Sequence, residues 1–180
     1  MNVTAAKVLF APRAAGFDAP FDMLSACHER VERSLGLLER LGVHLRGHGA
    51  DAQARDAARD VLRYFDLAAP HHHEDEERHV LPVLRALGRG ALADRLHADH
   101  GAMAVAWAGL RVQLEAILAG DAGPATTPEA AQAWQAFAAL YRQHARIEDG
   151  EAFPAARGAL DAAAQRAMGD EMARRRGARE

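Results

Sequence analysis

One pattern occurs twice in this chain and constrains its fold more than any other feature. Phe65, His72, Glu76 and Pro82 recur as Phe137, His144, Glu148 and Pro154, an F-x6-H-x3-E-x5-P spacing displaced by 72 residues. The same displacement carries His28 onto His100, Leu24 onto Leu96, Val31 onto Met103, Leu35 onto Trp107 and Leu38 onto Leu110. The two halves therefore read as copies of one unit. Because the matched residues step by three and four, that unit is a helical hairpin.

The rest of the sequence agrees. Alanine, leucine, arginine and glutamate are abundant, and no stretch alternates with period two for long, so intrinsic propensity favours helices throughout. Four long segments are expected, about Asp18 to Leu45, Asp51 to Leu87, Ala91 to Ala119 and Pro128 to Ala156. They are separated by glycine-rich turns at 46–50, 88–90 and 120–127. Asp51 and Thr127 are suited to cap helices, Pro128 to begin one, and Pro70 to kink the second. Helices of roughly 28 residues, each ~42 Å long, joined by short loops form an all-α, up-down-up-down four-helix bundle. The repeat gives that bundle a pseudo-two-fold axis. The domain plan is an amino-terminal arm at 1–17, the bundle at 18–158, and a carboxy-terminal stretch at 159–180. That last stretch carries a shorter fifth helix near Leu160 to Arg174 and a solvated basic end, Arg174 to Arg176.

Each expected seam carries chemistry. Phe21, Leu24, His28, Val31, Leu35 and Leu38 form the first stripe, and Phe65, Ala69, His72, Glu76, Val80, Val83 and Leu87 the second. Leu96, His100, Met103, Trp107 and Leu110 form the third, and Trp134, Phe137, Tyr141, His144 and Glu148 the fourth. Residues i and i+4 lie one above the other on a helix, so His72 with Glu76, and His144 with Glu148, can reach one point from one side. Two such helices bring both carboxylates between two metal positions and leave four imidazoles to complete the ends. About two histidines and two carboxylate oxygens per metal leave room for an oxo or hydroxo bridge and for an exogenous ligand, which means binding or redox chemistry and not a structural clip.

Composition narrows the metal and the partners. With ten histidines and a single cysteine, Cys27, a metal must be held by nitrogen and oxygen, and a disulfide framework is excluded. A net charge of -3 disfavours nucleic acid as a partner. The longest apolar run, Met103 to Leu110, is broken by Arg111, and the amino-terminal stretch is too weakly apolar for a secretory signal. A cytoplasmic protein with no membrane partner is expected.

The repeat also sorts the remaining candidates. His28 with Glu32, and His73 with Glu77, repeat the H-x3-E spacing but map onto Ala104, Ala145 and Asp149 without forming a matching pair. Glu32 is left to orient an imidazole from outside. His71, His73 and His79 are expected on the solvent side, with His73 the best candidate for an extra ligand. His44 and His48 are read as an exposed pair across a turn. Cys27 is read as a buried filler and Met103 and Trp107 as core. Tyr141, one turn from His144, is a core contact that could hydrogen-bond a bound oxygen species.

At His28, at His72 and Glu76 in HHHEDEERHVLP, at His100 in ADHGAM, and at His144 and Glu148 in QHARIEDGEAFP, the chain resembles the hemerythrin-like HHE cation-binding family. The resemblance spans about Asp18 to Ala156. It implies a non-haem di-iron centre with two carboxylate bridges, an oxo or hydroxo bridge, and chemistry with dioxygen, peroxide or nitric oxide, or iron handling; the same donors also suit zinc or manganese. Oxygen-carrying hemerythrins carry H-x3-H on the third helix, whereas residues four away from His100 are Leu96 and Ala104, and His97 breaks the pattern. Nor does a cysteine precede Cys27, as in the branch that repairs nitric-oxide damage. The resulting expectation is an iron protein that binds or senses dioxygen, nitric oxide or a related small ligand. A di-iron enzyme reducing peroxide or oxygen, or an iron storage or delivery module, is the alternative.

Overall fold

The computed structural model describes residues 16–177; of the expected amino-terminal arm, residues 1–15 lie outside the described residues. The chain is all-α, with five helices among the described residues. We label them α1 (Pro20–His48), α2 (residues 52–86), α3 (Gly90–Leu118), α4 (residues 128–159) and α5 (Ala162–Arg175). Asp51 accepts from the Ala54 N–H at 2.8 Å, and Thr127 from the Ala130 N–H at 3.1 Å, so the expected caps and the start at Pro128 are in place. Asp161 caps α5 in the same way. Gly49, Gly88 and Gly120 take positive φ where the chain leaves a helix, a conformation glycine adopts without steric cost.

Two of the long helices are not uniform. α2 contains π turns at Tyr64–Ala68 and Glu76–Val80, and α4 one at Glu148–Ala152. In each, a proline stands two residues beyond the turn: Pro70, Pro82 and Pro154. Proline offers no N–H, and its ring collides with the carbonyl four residues back in a regular helix. A turn widened by one residue removes that collision, so the disturbance expected at Pro70 takes the form of a π turn and recurs at the other two prolines. The widened turn also explains a misread stripe. After Glu76–Val80 the buried positions are Leu81 and Leu84, whereas Val83 is half-buried and Leu87 is 47% exposed, because a constant 3.6-residue period does not survive an inserted residue.

Each long helix contacts the next in chain order, and α4 returns to α1. Their inner faces build two apolar clusters. One runs from Val31, Leu35 and Leu38 through Phe65 to Phe137 and Tyr141; the other joins Phe21, Leu24, Leu81, Leu84, Leu96 and Phe153 to Met168 and Met172 of α5. Full burial of such side chains contributes about 1.5–3 kcal/mol each. With a mean hydropathy of 1.2 over 18 residues, α3 is long and apolar enough to cross a membrane by composition alone, which the broken run in the sequence concealed; here it packs against α2 and α4.

α5 is tied down more firmly than a solvated end. Arg175 and Arg176 both bind Asp75, which is fully buried, and Glu171 takes His79 at 2.7 Å. A Cβ at Gly169 would stand 1.9 Å from the carbonyl oxygen of Phe17, so only glycine allows this helix to approach so closely. The expectation of a free basic end at Arg174 to Arg176 is thus corrected for two of its three arginines.

Candidate metal centre

Between the two apolar clusters lie six buried polar side chains: His28, His72, Glu76, His100, His144 and Glu148. α1 and α3 each bring one histidine, while α2 and α4 each bring a His-x3-Glu pair just as the helix enters its π turn. These are the six residues the repeat selects.

Their donor atoms fall into two sets. His28 Nε2 stands 3.1 Å from His72 Nε2 and 3.2 Å from Glu148 Oε2, and His72 Nε2 is 2.9 Å from Glu76 Oε1. In the other set His100 Nε2 is 3.1 Å from His144 Nε2 and 3.3 Å from Glu76 Oε2, and His144 Nε2 is 3.1 Å from Glu148 Oε1. Each carboxylate thus gives one oxygen to each set, and each set of four lies within 4.8 Å.

Hydrogen bonding does not account for this convergence. All four carboxylate oxygens of Glu76 and Glu148 are buried without an aligned donor among the described residues, despite the short contacts to imidazole nitrogens. Leaving such a group unsatisfied costs about 1–3 kcal/mol, more when charged. Facing nitrogens 3.1 Å apart, twice over, add a further conflict wherever both present lone pairs. A cation in each set resolves all of these at once. For metal–donor bonds of about 2.1 Å, donors at right angles stand about 3.0 Å apart and tetrahedral donors about 3.4 Å. The observed 2.9–3.3 Å spacings fall in the range that donors shared by one cation require.

The electrostatics of the cluster favour positive charge beside its carboxylates. Burial opposes a charged His72, but the Glu76 carboxylate overrides it and holds the imidazole well above its ordinary pKa. His28 and His100 are also raised against burial, through Glu148 and Glu76. Glu76, despite its burial, is held well below the usual carboxylate range by His72 and His100. An imidazole binds a cation only in its neutral form, so the raised values at His28, His72 and His100 couple cation uptake to proton release.

A second layer of residues orients this first one. The Nδ1 side of His28 meets Asp149 at 2.9 Å, that of His100 meets Glu77 at 2.9 Å, and that of His144 meets Asp99 at 3.3 Å. Such contacts fix the ring and its tautomer. The sequence reading set Glu77 and Asp149 aside because their H-x3-E partners fail to match. Yet the two are related by the same 72-residue displacement, a signal that would have found them. Glu32, by contrast, binds Arg142 at 2.8 Å on the surface and supports no imidazole.

The remaining histidines divide. His73 is half-buried, not on the solvent side as expected: its ring stacks on His100 at 4.1 Å and lies 5.8 Å from Tyr141. Burial and His100 together hold its pKa well below the ordinary value. His79 is held by Glu171, His71 is exposed, and His97 reaches Glu77 at 3.4 Å from the surface. His44 and His48 do not straddle a turn, because α1 continues to His48; their rings stack at 4.4 Å and His44 meets Asp51 at 3.0 Å. That pair lines a cavity of about 480 Å³ with Leu37, Leu41 and Ala57, remote in the fold from the six-residue cluster. A smaller cavity of about 370 Å³, lined by Phe21, Ser25, Asp149 and Phe153, adjoins the His28 edge.

A protein of Haemophilus influenzae (strain ATCC 51907 / DSM 11121 / KW20 / Rd), described only as "Uncharacterized protein", is 32% identical over 114 residues, 62% of this chain and 66% of that one. The family model of the hemerythrin HHE cation binding domain matches residues 19–168, nearly the whole described chain. The chain belongs to the hemerythrin HHE cation-binding family.

Proposed function

We propose that this chain is a non-haem di-iron protein that binds or senses dioxygen, nitric oxide or a related small ligand. The four long helices serve it as an up-down-up-down bundle with a pseudo-two-fold axis. The observation that carries the reading is the pair of four-donor sets sharing Glu76 and Glu148, buried and without hydrogen-bond donors of their own. His28, His72, Glu76 and Glu148 would hold one iron, and His100, His144, Glu76 and Glu148 the other. Two irons so held supply ligand binding and one-electron chemistry at positions the protein leaves open.

The chain's own residues do the rest. Asp149, Glu77 and Asp99 accept hydrogen bonds from Nδ1–H of His28, His100 and His144 and so aim the Nε2 lone pairs inward. The apolar clusters on either side exclude water and keep the charges strongly coupled. The cavity beside Asp149 and Phe153 offers a small ligand an approach to the His28 edge.

Metal analysis and the visible spectrum of aerobically purified protein test this reading. Two irons per chain, with oxo-bridge absorption at the edge of the ultraviolet, are expected; stoichiometric zinc or a single metal would sink it. A second reading, a di-iron enzyme reducing peroxide, draws support from His73 and Tyr141, two proton-bearing groups clustered beside His100 and His144. Catalytic consumption of peroxide by the reduced protein, well beyond one equivalent, would favour the enzyme over the binder.

A further inference from the structure

The four imidazoles are not supported alike. Three of them turn Nδ1 toward a carboxylate, at 2.9 Å for His28, 2.9 Å for His100 and 3.3 Å for His144. The fourth, His72, is 3% exposed, and its Nδ1 has no hydrogen-bond partner among the described residues. The buried Cys27 thiol interacts with the His72 ring, yet no hydrogen bond satisfies that nitrogen.

The repeat identifies what has changed. Cys27 and Asp99 are related by the 72-residue displacement, so the thiol occupies the place from which the sister imidazole, His144, draws its carboxylate. Loss of such an outer carboxylate typically weakens metal binding about 10–100-fold, because the carboxylate fixes the tautomer and makes the ring a better donor. A thiol is a weak acceptor and does neither well. The ends differ in a second way. His73 stacks on His100 at 4.1 Å, and its counterpart in the repeat is Ala145; at the other end Phe153 covers His28 at 5.4 Å.

We infer that the two cation positions are unequal. The position of His100 and His144, backed by Glu77 and Asp99, fills first and holds tightly. The position of His28 and His72, backed by Asp149 alone, fills second and is the one that exchanges. Asp99 is thus a positioning residue that sets the order of loading, and Cys27 marks where its equivalent is missing. This inference rests on the two-cation reading above.

Titration of the metal-free full-length chain with Mn(II), followed by calorimetry and by electron paramagnetic resonance, tests it. Two steps separated by about tenfold or more are expected, with an isolated Mn(II) signal after the first equivalent and a coupled pair only after the second. Cys27→Asp supplies the missing carboxylate and brings the second step up to the first. As a new buried carboxylate can prevent folding, Asp99→Cys approaches from the other side and brings the first step down to the second. Merged steps at full two-equivalent stoichiometry are not what a merely damaged fold would give. Uptake of both cations by the unaltered chain in one step of equal affinity would overturn the inference, as would an unchanged separation in a folded variant. Fewer than two equivalents in the unaltered chain would instead overturn the two-cation reading.

Discussion

The first and second halves of the chain are alike where they meet and unlike one layer out. Both supply a lone histidine, a His-x3-Glu pair, a π turn beginning at the glutamate and a proline just beyond it. Outside that shared set the halves part. Cys27 corresponds to Asp99, His73 to Ala145, and the buried Asp75 to Ile147. Only α2 carries the additional π turn at Tyr64–Ala68; the equivalent stretch of α4 is regular. On the two-cation reading proposed above, the inner layer would be held to one solution, since a cation needs a fixed number of donors at fixed distances. The layer behind it adjusts affinity and anchoring, and there each half has its own arrangement.

The largest expected effect breaks the likeness at its core. Each glutamate serves both donor sets, whereas each histidine serves one. Glu148→Ala should therefore cost both cations, while His28→Ala should leave one equivalent at the His100 end. Metal-to-protein ratios after gel filtration measure this directly. Equal losses from the two variants would contradict the shared-carboxylate arrangement.

The next effect probes the unlike layer. Asp75 is fully buried and is held by Arg175 and Arg176 of α5, whereas its counterpart Ile147 packs into the apolar cluster. Replacing both arginines with alanine strands a buried carboxyl, and removing one side of a buried pair costs about 3–5 kcal/mol. Ile147→Ala, at a half-buried position, should cost less than about 2 kcal/mol. Denaturant unfolding of the two variants compares them. If the arginine variant proved the milder, α5 would not be what secures the first half.

The sequence made the inner layer legible and the outer layer only in part. Periodicity placed His28, His72, Glu76, His100, His144 and Glu148 on facing stripes, and the displacement of 72 separated them from the decoy pairs. The caps at Asp51 and Thr127 followed from local rules. What failed were features decided across helices or by backbone register. The π turns moved Leu84, not Val83, into the core, and no period reports an inserted residue in advance. Asp75 and Arg175 lie 100 residues apart, so nothing local linked them, and the basic end read as solvated. His73 adjoins His72 in sequence, and only the placement of α3 shows that its ring meets His100.

A smaller effect concerns acid. Glu171 is pushed down to about 2, first by its hydrogen bond to Arg175 and further by His79. Its folded pKa lies below the ordinary 4.5, so its contribution is complete above that value and is lost as pH falls from there toward about 2. The side chain is 31% exposed, which keeps the effect below about 1 kcal/mol. Stability measured across that window should fall less steeply in Glu171→Gln than in the unaltered chain, and parallel slopes would remove Glu171 from the anchoring of α5.

The smallest effect sharpens the difference between the two ends of the centre. His73 meets the His100 end most closely, stacked on that ring at 4.1 Å, with Tyr141, His72 and His144 further off at 5.8, 6.0 and 6.2 Å. Burial and the neighbouring His100 keep it neutral at physiological pH, so it adds no charge to be balanced when cations bind. Neither donor set includes it. His73→Ala should therefore leave two cations per chain and change the affinity of the first step by no more than about threefold, close to the scatter of single surface-like substitutions. What it should alter is the environment of one cation, visible in a Co(II)-substituted sample as a shift of one of the two visible band sets. A full loss of one cation would make His73 a ligand in its own right, and the His100 end would then carry five protein donors against four.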